Sequence, residues 1–171
     1  MGKNRLTFFY DKVTKFNFIC STLSGLILLF VTFSIFVDVF LRYFFNRPSI
    51  WITEMSTYFF LYIIFLGTAH ALQQGLHIRV TFVVDRLNGT VKRIVNLVTS
   101  VIALFFVFVL LWQTSVMTWD AFKGDLHSIT LLSVPFGYIY MGMVFGAFFL
   151  FLTMLFQTIL QFQAGNGGDT N

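Results

Sequence analysis

An all-α integral membrane protein with four transmembrane helices is the fold that this sequence predicts. The chain of 171 residues is 57% hydrophobic, 20% aromatic and only 11% charged, whereas soluble domains carry about 25% charged residues. It also contains four stretches without Asp, Glu, Lys or Arg that are long enough to cross a bilayer core of about 30 Å. These stretches lack the alternating pattern of outer-membrane β-strands. A soluble domain, a disordered chain and a membrane β-barrel are therefore excluded.

The four predicted helices follow from the charge-free stretches, taken in chain order. The stretches cover residues 16–37, 55–78, 94–119 and 126–168. About 20 residues at 1.5 Å each suffice to span the core. With their flanking turns, the helices are predicted at about 16–41, 52–77, 92–119 and 130–162 within a single membrane domain, 1–171. The polar tail 163–171 is expected to be disordered.

The segment before the first stretch has two interpretations. Apolar residues recur at helical spacing between residues 6 and 16, which fits a short amphipathic helix in the headgroup layer or an extension of helix one. The first stretch is longer than the apolar region of a signal peptide, and no A-x-A-like site follows it. We therefore expect helix one to persist as a membrane anchor.

The distribution of basic residues predicts that both termini lie in the cytoplasm. Eight Lys and Arg residues fall in the N-terminal segment, the second loop and the tail, against three in the first and third loops. Cytoplasmic loops carry the excess of positive charge. The basic flanks favour contact with phospholipid headgroups and not with nucleic acid. Three aromatic interface anchors fall at the predicted outer boundary, namely Tyr43, Trp51 and Trp119.

Four charged residues gather where helix one ends and helix two begins. Asp38 and Arg42 are spaced i,i+4 and share one helical face. Arg47 lies in the first loop, and Glu54 follows at similar depth on the antiparallel helix two. These residues either anchor the helix ends as interfacial charges or form a polar contact to a partner protein on the outer face.

The ionisable residues give no support for catalysis, for a cofactor or for a metal site. His70 and His77 share one face of helix two, but His127 begins helix four at the opposite boundary, so facing axial ligands for haem are not available. One cysteine, Cys20, excludes an internal disulfide and a cysteine-based metal site. No polar line runs through the helix centres, so the chain is predicted to be neither an enzyme nor a self-sufficient transporter.

Small residues at four-residue spacing predict close helix packing. Gly142 and Gly146 form such a pair in helix four, and Gly67 and Ala71 form another in helix two. Small side chains allow two helix backbones in a membrane to approach closely. The pair in helix four therefore meets either another helix of this chain or a second subunit.

One ordered set of motifs resembles a known family over about residues 16–160. The set is an Asp and Arg at the end of helix one, an aromatic-Asn-x-Pro turn, Trp followed by Glu, a Gly-Ala pair and a Gly-x-His-Ile element. In this sequence it reads Asp38, Arg42, Asn46, Pro48, Trp51, Glu54, Gly67, Ala69, Gly75, His77 and Ile78. It is similar to the small membrane subunit, of DctQ type, of tripartite ATP-independent periplasmic (TRAP) transporters.

The resemblance implies a small scaffold subunit of a sodium-coupled transporter in the bacterial inner membrane. It would assemble with a large multi-spanning membrane subunit and a periplasmic substrate-binding protein to take up an organic acid, of the sialic acid or C4-dicarboxylate class. Two other functions fit the sequence less well. A proton-coupled exporter needs a carboxylate deep in a helix, and Glu54 does not qualify because it begins its helix. A membrane anchor of a respiratory complex needs facing ligands for haem or quinone, and the depths of the histidines argue against such ligands.

Overall fold

The computed structural model describes residues 2–47, 49–74, 89–130 and 132–166. This part of the chain contains four α-helices: α1 (Gly2–Phe45), α2 (Ile50–Gln73), α3 (Gly89–Lys123) and α4 (Phe136–Asn166). Each contains a segment that is long and apolar enough to cross a membrane, and these are Phe8–Phe45, Ile50–Gln73, Ile94–Lys123 and Phe136–Leu160. The prediction of an all-α membrane protein with four spanning helices is confirmed.

The largest differences from the predicted helix ends are the start of α1 and the start of α4. α1 is continuous from Gly2, so residues 6–16 extend helix one and do not form a separate amphipathic helix. α4 begins at Phe136 and reaches Asn166, and it therefore includes the first residues of the tail that was predicted to begin at 163.

With 44 residues, α1 is about 66 Å long, so part of it must lie beyond a hydrocarbon core of about 30 Å.

The four helices form an open layer and not a closed bundle. α1 packs on α2, α2 packs on α4 and α4 packs on α3, with a smaller contact between α1 and α4. Within the described ranges α1 and α3 do not meet. The accessible surface is 12325 Å², against roughly 8,600 Å² for a compact soluble monomer of this mass. The layer therefore leaves broad helix faces without a partner in this chain.

The distribution of polarity is the reverse of that in a soluble protein. Large apolar side chains lie on the outside, among them Leu29, Phe33, Phe105 and Trp112. The buried polar side chains are Asn17, Ser24, Asp38, Glu54, Ser56, Thr114, Thr118, Ser128, Thr153 and Thr158. A bilayer solvates apolar surface, and polar groups in a membrane protein must find partners inside it. The layer is built for lipid on its faces.

Small residues set the spacing between α2 and α4. A Cβ atom at Gly146 would lie 2.6 Å from both Cβ and the carbonyl oxygen of Phe65, and one at Gly142 would overlap the ring of Tyr62. The pair therefore lies inside the four-helix unit, against α2. In α2 itself, a Cβ at Gly67 would lie 3.3 Å from Ser24 Oγ of α1, and Ala71, one turn further on, is half-buried.

Hydrogen bonds between helices add to this packing. The Ser24 hydroxyl of α1 donates to the Ile63 carbonyl of α2 at 2.8 Å, and the Tyr62 hydroxyl of α2 donates to the Tyr138 carbonyl of α4 at 2.9 Å. Such bonds contribute about 0.6 kcal/mol each on average in a membrane protein. Both involve α2, which together with α4 forms the middle of the layer.

Candidate functional site

The candidate site lies at the end of the layer where residues 46–49 and 124–135 connect the helices, which we name the loop end. α1 ends at Phe45, and Asn46 follows with a φ of 54°. Asn tolerates this left-handed conformation better than most residues and commonly ends a helix in this way. Ser49 then adopts extended backbone geometry as the residue before α2. The chain reverses direction within four residues.

Asp38 closes this reversal. Its Oδ1 atom accepts a hydrogen bond from the backbone N–H of Ser49 at 2.8 Å, and its Oδ2 atom accepts one from Arg42 Nη2 at 2.9 Å. A carboxylate at this place accepts a hydrogen bond from a backbone donor that would otherwise be unpaired, and it is stabilised by the positive end of the α2 dipole. The Asp38 side chain is only 6% exposed, whereas that of Arg42 is 56% exposed. Arg42 thus bridges a buried carboxylate and the surface.

Glu54 forms the second half of the site. Its Oε1 atom accepts hydrogen bonds from the hydroxyls of Tyr58 at 2.7 Å, Ser128 at 2.9 Å and Thr130. The residue is 9% exposed, and its Oε2 atom is buried without a hydrogen-bond partner. Glu54 therefore ties α2 to the loop before α4, and it does so with one carboxylate oxygen only.

The loop that Glu54 holds is a tight reversal. The N–H of Ser128 donates to the Val134 carbonyl, and the N–H of Phe136 donates to the Leu126 carbonyl, both at 2.9 Å. Asp125 and Ser133, which flank this ladder, have positive φ angles. Ile129 lies between the two hydroxyl residues that bind Glu54, and its side chain is fully exposed. The Glu54 network thus presents an apolar residue at the loop tip.

An open cleft of about 460 Å³ joins the two halves of the site. Two charged residues, Arg42 and Glu54, line it together with Ser49, Ile50, Thr53, Thr57, Tyr58 and Thr130. Arg42 pairs with Asp38, and in the described ranges Glu54 has no basic partner within ion-pair distance. The cleft therefore offers one cationic and one anionic group that are not paired with each other.

The other predicted residues of this region are placed as follows. Arg47 is exposed and lies outside both networks. Tyr43, Trp51 and Trp119 are all exposed at the loop end, and Lys123 Nζ lies 5.3 Å from the centroid of the Trp119 ring. The family-motif residues Gly75, His77 and Ile78 lie outside the described residues.

A second polar group, which the sequence analysis missed, lies toward the opposite end of the layer. Asn17 is 1% exposed, and its Nδ2 atom donates to Thr153 Oγ1 at 2.8 Å. Gln73 Nε2 donates to Thr14 Oγ1 at 3.2 Å. The buried atoms Asn17 Oδ1, His70 Nδ1 and Gln73 Oε1 have no partner. An Asn inside an apolar run was the sequence signal for this group.

The histidines do not converge. His70 contacts the ring of Phe18, with 5.6 Å between ring centroids, whereas His127 bonds within its own loop to the Asp125 carbonyl. His127 lies next to the Glu54 network, and Glu54 is 16 residues from His70 along α2, about 24 Å. In the described ranges no three His, Cys, Asp or Glu side chains come together to hold a metal ion.

The fold and the site define a small multi-pass membrane protein whose charged groups gather at its ends. The charge-free stretches 16–37, 55–78 and 94–119 leave its centre without a path of ionisable groups. The class defined is a small four-helix membrane protein without a charged path across the bilayer.

The chain matches the family described as tripartite ATP-independent periplasmic transporters, DctQ component, over residues 31–164, and it belongs to that family. It is also 27% identical over 137 residues to a TRAP transporter small permease protein of Haemophilus influenzae, covering 78% of this chain and 83% of the relative. The chain is therefore a TRAP transporter component and not an enzyme. With four apolar spanning helices, it is a multi-pass protein of the bacterial inner membrane.

Proposed function

We propose that this chain is the small scaffold subunit of a sodium-coupled TRAP transporter that takes up an organic acid. It acts together with a large membrane subunit and a periplasmic substrate-binding protein. The open layer carries this proposal, because four helices that bury so little of one another leave faces wide enough for a large membrane partner. In lipid, such an association depends on close packing and not on a hydrophobic drive.

The division of labour follows from where the polar groups lie. A transport path needs polar side chains near the bilayer midplane, and the hydroxyls near the centre of α1 are already bonded to backbone carbonyls, Ser24 to Ile63 of α2 and Thr32 to Leu28. The large subunit therefore carries the substrate and the sodium ions. Sialic acid is the first substrate to test, with C4-dicarboxylates second.

The loop end is assigned to the periplasmic side, because the opposite arrangement would break the excess of positive charge on cytoplasmic loops. Here the loop tip at Ile129, held by Glu54, is available to the periplasmic binding protein. The side can be tested with a cysteine introduced at Ile129 in a Cys20→Ala background. A membrane-impermeant maleimide should label it in intact spheroplasts, and labelling only after lysis would place the loop end in the cytoplasm.

Reconstitution tests the transport proposal. Proteoliposomes that contain this chain, the membrane protein that co-purifies with it and the cognate binding protein should take up substrate when an inward sodium gradient is imposed. A potassium gradient of the same size is the matched control and should drive no uptake. Liposomes with this chain alone should also take up nothing. Sodium-driven uptake by the chain alone would refute the scaffold role.

A further inference from the structure

The unpaired oxygen of Glu54 calls for a donor that the described residues do not provide. Glu54 is buried, and its Oε2 atom has no hydrogen-bond partner although Oε1 accepts three. A buried carboxylate without compensation is costly, and an unsatisfied buried group in a native structure needs an explanation, of which a bound water, ion or ligand is one. Because Oε2 is sealed from water, bulk solvent does not satisfy it.

Arg42 supplies the complementary charge at the same cleft. One of its amino groups binds Asp38, its side chain is 56% exposed, and Arg42 lines the same cleft as Glu54. Arg binds phosphate well because its planar fork offers several donors. A ligand that fits both groups must therefore carry an anion and a hydrogen-bonding cation a short distance apart.

The position of the cleft indicates that the ligand with this anion and this cation is a membrane lipid. The spanning segment of α2 begins at Ile50, which lines the cleft, and its neighbour Trp51 is exposed. Exposed Trp and Tyr side chains mark the headgroup level of a bilayer. Charged residues (Arg42 and Glu54) and the exposed apolar residue Ile50 line the same cleft, a combination that suits a headgroup and its acyl chains.

We infer that this cleft binds a phospholipid whose headgroup carries both a phosphate and a primary ammonium, as in phosphatidylethanolamine. The phosphate binds Arg42, and the ammonium donates to Glu54 Oε2 once the side chains at the cleft rim part around it. A choline headgroup has the same charges but no N–H donor, so it cannot satisfy Glu54. This inference rests on the membrane location of the chain and on the cleft, and it is independent of the transported substrate.

Native mass spectrometry of the delipidated full chain in detergent tests the inference. The chain is offered dioleoyl-phosphatidylethanolamine, dioleoyl-phosphatidylcholine or dioleoyl-phosphatidylglycerol at equal concentration. The wild type should retain the ethanolamine lipid about tenfold better than the choline lipid, the size expected of one charge-assisted hydrogen bond. Equal retention of these two lipids, preference for the glycerol lipid or no retention of lipid would each overturn the inference. The last result would point to a partner side chain as the donor.

Variants then assign the two contacts. Glu54→Gln keeps an oxygen for the three hydroxyls and should abolish the preference for ethanolamine over choline. Arg42→Gln should lower the retention of both lipids by a similar factor. Asp125→Asn and Lys123→Gln are matched controls at the loop end, outside the cleft, and should behave as wild type. A preference that persists in Glu54→Gln would overturn the inference.

Thr57→Leu provides a variant that leaves the Glu54 network intact. Thr57 lines the cleft, and its hydroxyl bonds only to the Thr53 carbonyl of its own helix, so the change should fill the cleft without unfolding the chain. It should lower retention of the ethanolamine lipid to the level of the choline lipid. Unchanged retention would show that the lipid binds elsewhere.

Discussion

Replacing Gly146 should separate α2 from α4 and destabilise the chain. A Cβ atom at this position would lie 2.6 Å from the backbone carbonyl oxygen and from Cβ of Phe65, whereas ordinary contact begins at 3.4 Å. Even Gly146→Ala therefore requires a shift of about 0.8 Å, the difference between these two distances. The obstacle is backbone, so rotation of a side chain cannot relieve it. Overpacking of this kind costs about 1–3 kcal/mol.

Gly25 offers a matched control for this experiment. It lies in α1, and a Cβ atom there would meet nothing within 4 Å. We expect Gly146→Ala to lower the free energy of unfolding, measured by SDS titration in mixed micelles, by about 1–3 kcal/mol. Gly25→Ala should not lower it, since Ala is the better helix former by about 1 kcal/mol. Equal stability of the Gly146 variant and the wild type would refute the close approach of the two helices.

The same variants separate internal packing from subunit contact. If Gly146→Leu unfolds the chain, the pair acts inside the four-helix unit, as the geometry requires. If Gly146→Leu instead releases the large partner in detergent while the chain stays folded, the pair belongs to a subunit interface. The structure predicts the first outcome, because Phe65 of α2 already occupies the space in front of Gly146.

Three further predictions concern the polar groups. Asp38→Ala should lower the free energy of unfolding by about 1–3 kcal/mol, because it leaves a buried backbone donor unpaired. Arg42→Ala should lower it by only about 0–1 kcal/mol, the usual contribution of an exposed pair. A larger loss for Arg42→Ala than for Asp38→Ala in SDS titrations would contradict this. Glu54→Ala should speed hydrogen exchange within 124–135, while Glu54→Gln should not, and equal protection in both would show that the loop folds without Glu54. Asn17→Leu should stabilise the chain or leave its stability unchanged if the buried amide only fills space; a loss of about 1 kcal/mol or more would show that its bond to α4 matters.

Much of the fold follows from the sequence because the bilayer imposes a simple rule. A run without charged residues that is long enough to cross the core must be helical, since every backbone group has to be paired within the segment. The length of α1 could not be read in this way, because helical spacing between residues 6 and 16 fits a separate helix and a continuous one equally well. The structure shows one helix, Gly2–Phe45.

Only some contacts of the candidate site could be predicted from the sequence. The i,i+4 spacing of Asp38 and Arg42 predicts their contact, and the same spacing could have linked Tyr58 to Glu54. Ser128 could not have been found in this way, because 74 residues separate it from Glu54. The same holds for Thr130, which is 76 residues from Glu54. The order of the helices in the layer could not be predicted either, because the spanning segments are apolar almost all round and the small-residue pairs do not say which helix they meet.

The packing of α2 against α4 in the middle of the layer explains why a small protein with so little buried surface can hold one shape. α2 packs against both α1 and α4, and it is the shortest of the four helices, with 24 residues. Its first turns carry Glu54, which fixes the loop before α4, and its middle carries Phe65, which receives Gly146. Because close packing and buried hydrogen bonds must replace the hydrophobic drive in lipid, the contacts of α2 set the geometry of the layer. The outward faces of α1 and α3 are then free to be apolar without specifying the fold, and such faces are suited to a partner.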